Sequence, residues 1–344
     1  MLAFLAVVSM SSLRVVSVTS PWLCVPLMVF GVVPASAFAQ PPQPRTMSTL
    51  EQEISTAPPS TNVGAGASEI DRALAARDYE RAERLLADAI ERQPASRELL
   101  TRIAGVFIMD RKPLNAAIAL KKAEALGPLD GHARLQLALA YIAMKRGDWA
   151  RPELERLALA EPANVIPRYW LARLDYDGGQ YAAAIRRLQD VVAQAPAFAR
   201  AHDNLALCYE ALHQTDEAIP HYREAVRLNR LDKETPSAWP ALNLGILLRT
   251  RGEMEEAEAL FREALTHDRH FAPGYYQLGA VLEQRGRMDE AVKALRQSTS
   301  ADAGHAGAYY ALSRIYRRQG RTAEADAAMT TFKKLHDARR EPAR

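Results

Sequence analysis

The chain has 344 residues, 48% hydrophobic and 25% charged, with a formal net charge of +3. That near-neutral balance excludes a nucleic-acid protein, because phosphate binding needs a concentrated basic face. Two cysteines exclude a disulfide-rich scaffold and a cysteine zinc cluster. The apolar content excludes wholesale disorder. The length suits two average domains or one elongated repeat array. Arg far outnumbers Lys, as in the coding sequence of a GC-rich bacterium.

The first 39 residues contain a single charge, Arg14. The apolar run Trp22–Val33 follows it, and Ala37-Phe38-Ala39 supplies a small-x-small cleavage site before Gln40. A charged start, an apolar middle and a small-residue end form a secretory signal, cleaved after Ala39 and directing the chain to the periplasm. The alternative is an uncleaved inner-membrane anchor, the one expected route to a membrane. Pro26 and Pro34 argue against a spanning helix, which needs about 20 apolar residues. Translation starts at Met1 or at Met10, the latter placing Arg14 closer to the N-terminus. The residue before Cys24 is Leu23, where lipoprotein signals carry a small residue.

Residues 40–67 are rich in Pro, Gln, Ser and Thr and nearly free of bulky apolar side chains. Such a segment cannot bury a core and reads as a flexible linker. A short helix over Thr49–Ser55 is the alternative.

Beyond it the chain repeats. Alanines stand 34 residues apart at Ala82, Ala116, Ala150, Ala184 and Ala218, then resume after a step of 39 at Ala257, Ala291 and Ala325. Pro94, Pro128, Pro162 and Pro196 share the period. Four residues after each alanine comes a large apolar residue, such as Leu86, Leu188, Tyr222, Phe261 and Leu295. Upstream, a Leu or Ile precedes a small residue, as in Leu205-Ala206, Leu244-Gly245 and Leu278-Gly279. Spacings of 3 and 4 put these residues on helical stripes. Gly179, Gly252, Gly286 and Gly320 divide one stripe from the next. Each unit is therefore two antiparallel amphipathic helices, and the alanine column marks where helices approach too closely for a larger side chain.

Tyr275-Leu278-Gly279-Leu282-Gly286-Ala291-Leu295 and Leu244-Gly245-Leu248-Gly252-Ala257-Phe261-Ala264 resemble the tetratricopeptide repeat. The resemblance covers residues 63–339, about eight units, and implies an all-α, right-handed superhelical solenoid of antiparallel helix pairs. It is specific for fold and unspecific for function. The first unit departs from it, with Glu69 where Leu belongs and Gly64-Ala65-Gly66 where a helix should run, and is expected to be a short cap starting near Ser68. In the 131–164 unit Gly147 lies two residues late, which predicts a shifted helix boundary. Asp175 occupies an aromatic core column, and pairing with an arginine is expected for it. The five extra residues lie near 231–237, where Pro236 is expected to end a lengthened helix. That insertion is either a tolerated loop or a contact loop.

The first helices of stacked pairs line a concave groove. The candidate partner-binding residues there are Tyr169, Arg173, Asn204, Trp239, Asn243, Tyr276, Gln277, Tyr310 and Arg314. Tyr and Trp supply stiff contact area and Arg supplies anchors, while amides can hold a peptide backbone whatever its sequence. The asparagines resemble the asparagine ladder of some members of this family. The lysine of the family's carboxylate clamp has no match here. Packing between adjacent first helices is the alternative reading of the aromatics.

Nothing points to catalysis. His202 and Cys208 are six apart on one helix, His267 and His270 lack a third metal ligand, and Asp175-Tyr176-Asp177-Gly178 lacks the later ligands of a calcium loop. The expectation is a non-enzymatic adaptor of the cell envelope that needs neither metal nor cofactor and binds a protein or peptide partner in its groove. The alternative is a structural subunit of an envelope assembly (secretion, pilus, polysaccharide export or outer-membrane biogenesis) that packs by its convex face or its ends.

Overall fold

The structure is a computed structural model that describes residues 68–340, with side chains to residue 338. The expected signal segment and linker lie outside the described residues, as do residues 63–67 of the first unit. Among the described residues there are helices and no strand. In chain order they are α1 Glu69–Ala75, α2 Tyr79–Arg92, α3 Arg97–Met109, α4 Pro113–Leu126, α5 Gly131–Ala143, α6 Gly147–Ala160, α7 Ile166–Asp177 and α8 Tyr181–Gln194. There follow α9 Ala199–Ala211, α10 Thr215–Leu231, α11 Trp239–Thr250, α12 Met254–His267, α13 Ala272–Gln284, α14 Met288–Ala301, α15 Ala306–Arg318 and α16 Thr322–Arg340. Each odd-numbered helix packs on the even-numbered one that follows, and each pair packs on the next.

The alanine column is the seam. Ala82, Ala116, Ala150, Ala184, Ala218, Ala257, Ala291 and Ala325 all have 0% exposure. The large residue four positions on fills the space beside it: Leu86, Leu120, Leu154, Tyr222, Phe261 and Leu295 are likewise closed to solvent. The small residue after Leu on the first helix receives that side chain. A Cβ on Gly279 would stand 2.6 Å from Cγ of Leu295, closer than atoms can pack.

The turn inside each pair has one recurring conformation. Gly179, Gly252, Gly286 and Gly320 have φ between 71° and 86°. At the equivalent place in the other four pairs stand Arg77, Arg111, Lys145 and His213, with φ of 55° to 59°. The left-handed residue lets the backbone close the first helix and start the second. This corrects the expectation of a shifted boundary in the 131–164 unit. Lys145 makes the turn there, and Gly147 is the first residue of α6, two residues past the turn as Tyr181 is in α8.

In the described part of the first unit, α1 is a helix of seven residues. Ser68 and Asp71 form a capping box at the start of α1, each side chain accepting the other's backbone N–H. The insertion lengthens α10 to 17 residues, but the helix stops at Leu231 rather than at Pro236. The Asp232 carboxylate accepts the N–H groups of Glu234 and Thr235 at 3.0 and 2.9 Å, which turns the chain before the proline is reached. Asn229 then ties the loop shut through two bonds to the backbone of Ser237. Asp175, 1% exposed, is held by Arg151 and Arg187 at 2.8 Å each, the arginine pairing expected of it.

Candidate peptide-binding face

Successive first helices touch one another, α3 with α5, α7 with α9, α9 with α11, α11 with α13 and α13 with α15, more closely than successive second helices do. The first helices therefore form the inner face of the stack. On that face the candidate residues divide into two groups.

One group is spent within the wall. Tyr169 is 1% exposed, and its hydroxyl accepts a hydrogen bond from Asn204 Nδ2 at 2.8 Å. Asn204, itself buried, accepts one from Arg173 Nη1 at 2.8 Å. Asn243, also buried, donates to the Asp203 carboxylate at 3.0 Å. These amides link α7 to α9 and α9 to α11. Arg314 makes a two-pronged contact with Glu283, Nε to Oε1 at 3.1 Å and Nη2 to Oε2 at 2.5 Å, and Arg318 reaches the same carboxylate.

The other group keeps part of its surface open. Trp239, Tyr276, Gln277 and Tyr310 are half-buried. Each aromatic leans one side on a residue further along the chain: Trp239 on Phe271 at 5.0 Å, Tyr276 on His305 at 4.9 Å and Tyr310 on Phe332 at 5.2 Å between ring centroids. Packing between neighbouring helices and an open edge thus coexist in the same side chains. Half-buried Leu207 and Ile246 extend this apolar strip. Leu135, Ile142 and Ile166 continue it onto α5 and α7. The candidate set had passed over these three, although Leu135 falls in the column of Tyr276 and Tyr310 and Ile166 in that of Trp239.

A register rule governs the polar positions. Asn204 bonds the side chain 35 residues earlier, and Asn243 does the same across the insertion, 40 residues back. At the matching place in other units the residue 35 earlier is Leu242 for Gln277 and Leu135 for Trp170. Gln277 Oε1 and Trp170 Nε1 accordingly have no hydrogen-bond partner among the described residues.

Charge on this face is uneven. Burial raises the Glu210 carboxyl above its usual range, against the opposing effect of the Tyr222 hydroxyl that donates to it at 2.7 Å. Cys208 is buried, and burial pushes its thiol up to about 12. His202, six residues before it, is engaged with the ring of His221 and the carbonyl of Pro196. Among the described residues no group of three His, Cys, Asp or Glu side chains is placed to hold a metal ion. No helix among them is long and apolar enough to cross a membrane.

Five tetratricopeptide-repeat family models match residues 68–131, 168–197, 198–270, 248–303 and 306–335, together more than half of the chain. Cell division cycle protein 27 homolog A of Arabidopsis thaliana is 31% identical over 85 residues, which is 25% of this chain and 12% of that protein. Among solved structures, the APC/C hetero-tetramer Cut9–Hcn1 matches with a TM-score of 0.61 at 17% identity, over 72% of this chain and 48% of that one. This chain thus spans about half or less of these two relatives. PilW, a type IV pilus biogenesis factor, matches with a TM-score of 0.53 at 18% identity, over 59% of this chain and 92% of its own. Yeast Tom70 matches with a TM-score of 0.52 at 16% identity, over 86% and 72%. At these identities the structures share the fold. The helix pairs, the alanine seam and the five matching repeat models lead to one conclusion: the chain belongs to the tetratricopeptide repeat family.

Proposed function

We propose that the protein is a non-enzymatic adaptor that holds an extended segment of a partner protein along its first-helix face. Tetratricopeptide repeats are generally protein-interaction scaffolds, and this reading makes the general role specific. The observation that carries it is the strip of half-open apolar and aromatic side chains, Leu207, Trp239, Ile246, Tyr276 and Tyr310, set in a wall stiffened by the Tyr169–Asn204–Arg173 and Asp203–Asn243 bonds. A rigid apolar strip contacts a peptide with little ordering cost to itself.

The proposed setting is the bacterial cell envelope. Its support is the secretory character of residues 1–39, with residues 40–67 as a tether to the repeats. The fold shared with PilW fits that setting.

The second reading is a structural subunit packing by its second helices. Leu114 and Ile118, one turn apart on α4, are 55% and 48% exposed, and Leu159 on α6 is 84% exposed. Unpartnered apolar side chains of this size favour an interface there.

Two sets of variants separate these readings. Leu207→Glu with Ile246→Glu charges the first-helix face, and Leu114→Glu with Ile118→Glu charges the second. Crosslinking and mass spectrometry of complexes from envelope extracts is expected to show the partner lost from the first set and retained by the second. Retention by the first and loss from the second would establish the second-helix reading instead.

A further inference from the structure

Several arginines of the first helices reach a carboxylate, while Arg173, met by the Asn204 side-chain oxygen, and half-buried Arg249 reach none among the described residues. Arg102 reaches Asp71, Arg134 reaches Glu153 and Arg314 reaches Glu283, all within 2.7 Å. Arg249, near the end of α11, reaches no carboxylate among the described residues. Its one hydrogen bond is a long 3.4 Å contact from Nη1 to the neutral Oε1 of Gln284, and its buried Nε has no acceptor. Burial with no anion to offset it pulls the guanidinium below its ordinary value. A partly desolvated charge without an anion is costly, and an anionic ligand would offset that cost.

Tyr276 stands beside it. Its ring, half-buried on α13, lies in the fields of both Arg249 and Arg314, and its hydroxyl bonds no group among the described residues. Arg314 and Arg318 share the single carboxylate of Glu283, so together with Arg249 this part of the face carries an excess of positive charge. The place is the sixth of eight helix pairs, with first helices continuing on either side, so a bound chain runs past it in both directions.

We propose that Arg249 receives the carboxylate of an internal Asp or Glu of the bound peptide, with the Tyr276 hydroxyl as second donor. The inference rests on the peptide-binding reading above and adds a sequence requirement to it. The two Nη groups of the guanidinium can meet the carboxylate oxygens from the open side of the face.

The test uses the full-length chain to select from phage-displayed random 12-residue peptides, which have no free C-terminus. Selected peptides are then synthesised with blocked ends and titrated against wild type, Arg249→Gln, Arg249→Lys and Ile246→Glu, all checked for helicity. The expected result is an Asp or Glu at one fixed register position. Replacing it by Asn or Gln is expected to weaken wild-type binding about tenfold or more, and to change Arg249→Gln binding hardly at all. Arg249→Lys should recover part of the acidic preference. If the peptides bind wild type, lose binding to Ile246→Glu and show no acidic position coupled to Arg249, the carboxylate assignment is wrong and the peptide-binding face stands. If no peptide is selected, or if Ile246→Glu binds the selected peptides unchanged, the peptide-binding face fails and takes this assignment with it.

Discussion

A Cβ added to Gly245 would lie 2.6 Å from Cε1 of Phe261, so the absence of a side chain on α11 is what lets the ring on α12 close to 0% exposure. This contact is the repeat's central economy of space. Burying a phenylalanine stabilises by roughly 1.5–3 kcal/mol, and here it is achieved only because the facing helix offers bare backbone. Gly245→Val is expected to cost about 1–3 kcal/mol through overpacking. Ala184→Leu, at a position with 0% exposure, should cost a similar amount. Urea denaturation read by helicity checks both, and unchanged midpoints would mean these columns do not mark close helix contacts.

The turn column offers a stabilising change. Lys145 holds a left-handed backbone with φ of 58°, which costs a side-chain-bearing residue about 1–2 kcal/mol. Glycine relieves that strain and loses about 0.5–1 kcal/mol to extra freedom in the unfolded chain. Lys145→Gly is therefore expected to raise stability by up to about 1 kcal/mol. Gly286→Ala, at φ of 77°, should lower it. Thermal unfolding of the two variants beside wild type gives the signs directly.

Glu210 makes stability depend on pH in a defined direction. Burial raises its folded carboxyl above the unfolded value, so the folded state holds the proton more tightly. Its favourable contribution is complete below the unfolded pKa and is lost as pH rises through the folded one. Glu210→Gln cannot ionise. It should match wild type near pH 4 and melt higher at pH 7–8. A melting difference that stays constant from pH 4 to pH 8 would contradict a raised carboxyl.

Cys208 should be a poor nucleophile in the native state. It is buried, and its thiol is pushed up to about 12, so little thiolate forms at pH 8. Iodoacetamide labelling followed at the Cys208 peptide by mass spectrometry is expected to be slow in buffer and fast in urea. Equal rates would show the thiol to be accessible in the fold.

Much of this architecture could be read from one sequence because its strongest constraint is steric and local. Ala184 or Ala257 must be small wherever the helices cross, so the column survives in the residue string. The turn at Lys145 was hidden because the left-handed conformation need not be taken by glycine, and Gly147 drew attention to the wrong place. The end of α10 was misplaced for a similar reason: Pro236 is the visible helix breaker, while Asp232 ends the helix earlier by capping the turn. The inner face was legible as a stripe but not as a set of pairings. Whether Asn204 or Gln277 finds a partner depends on the residue 35 positions earlier, Tyr169 in one case and Leu242 in the other. Tyr169 illustrates the consequence. Its column matches that of Tyr276 and Tyr310, yet Phe198 and Trp170 close over its ring at 5.0 and 5.6 Å.

The central claim is that partners are held by the first-helix face. A photo-crosslinking residue placed at Ile246, half-buried on that face, and separately at Leu159, 84% exposed on α6, tests it in living cells. The account predicts a covalent adduct with a partner segment from Ile246 and none from Leu159. An adduct from Leu159 with none from Ile246 would contradict it.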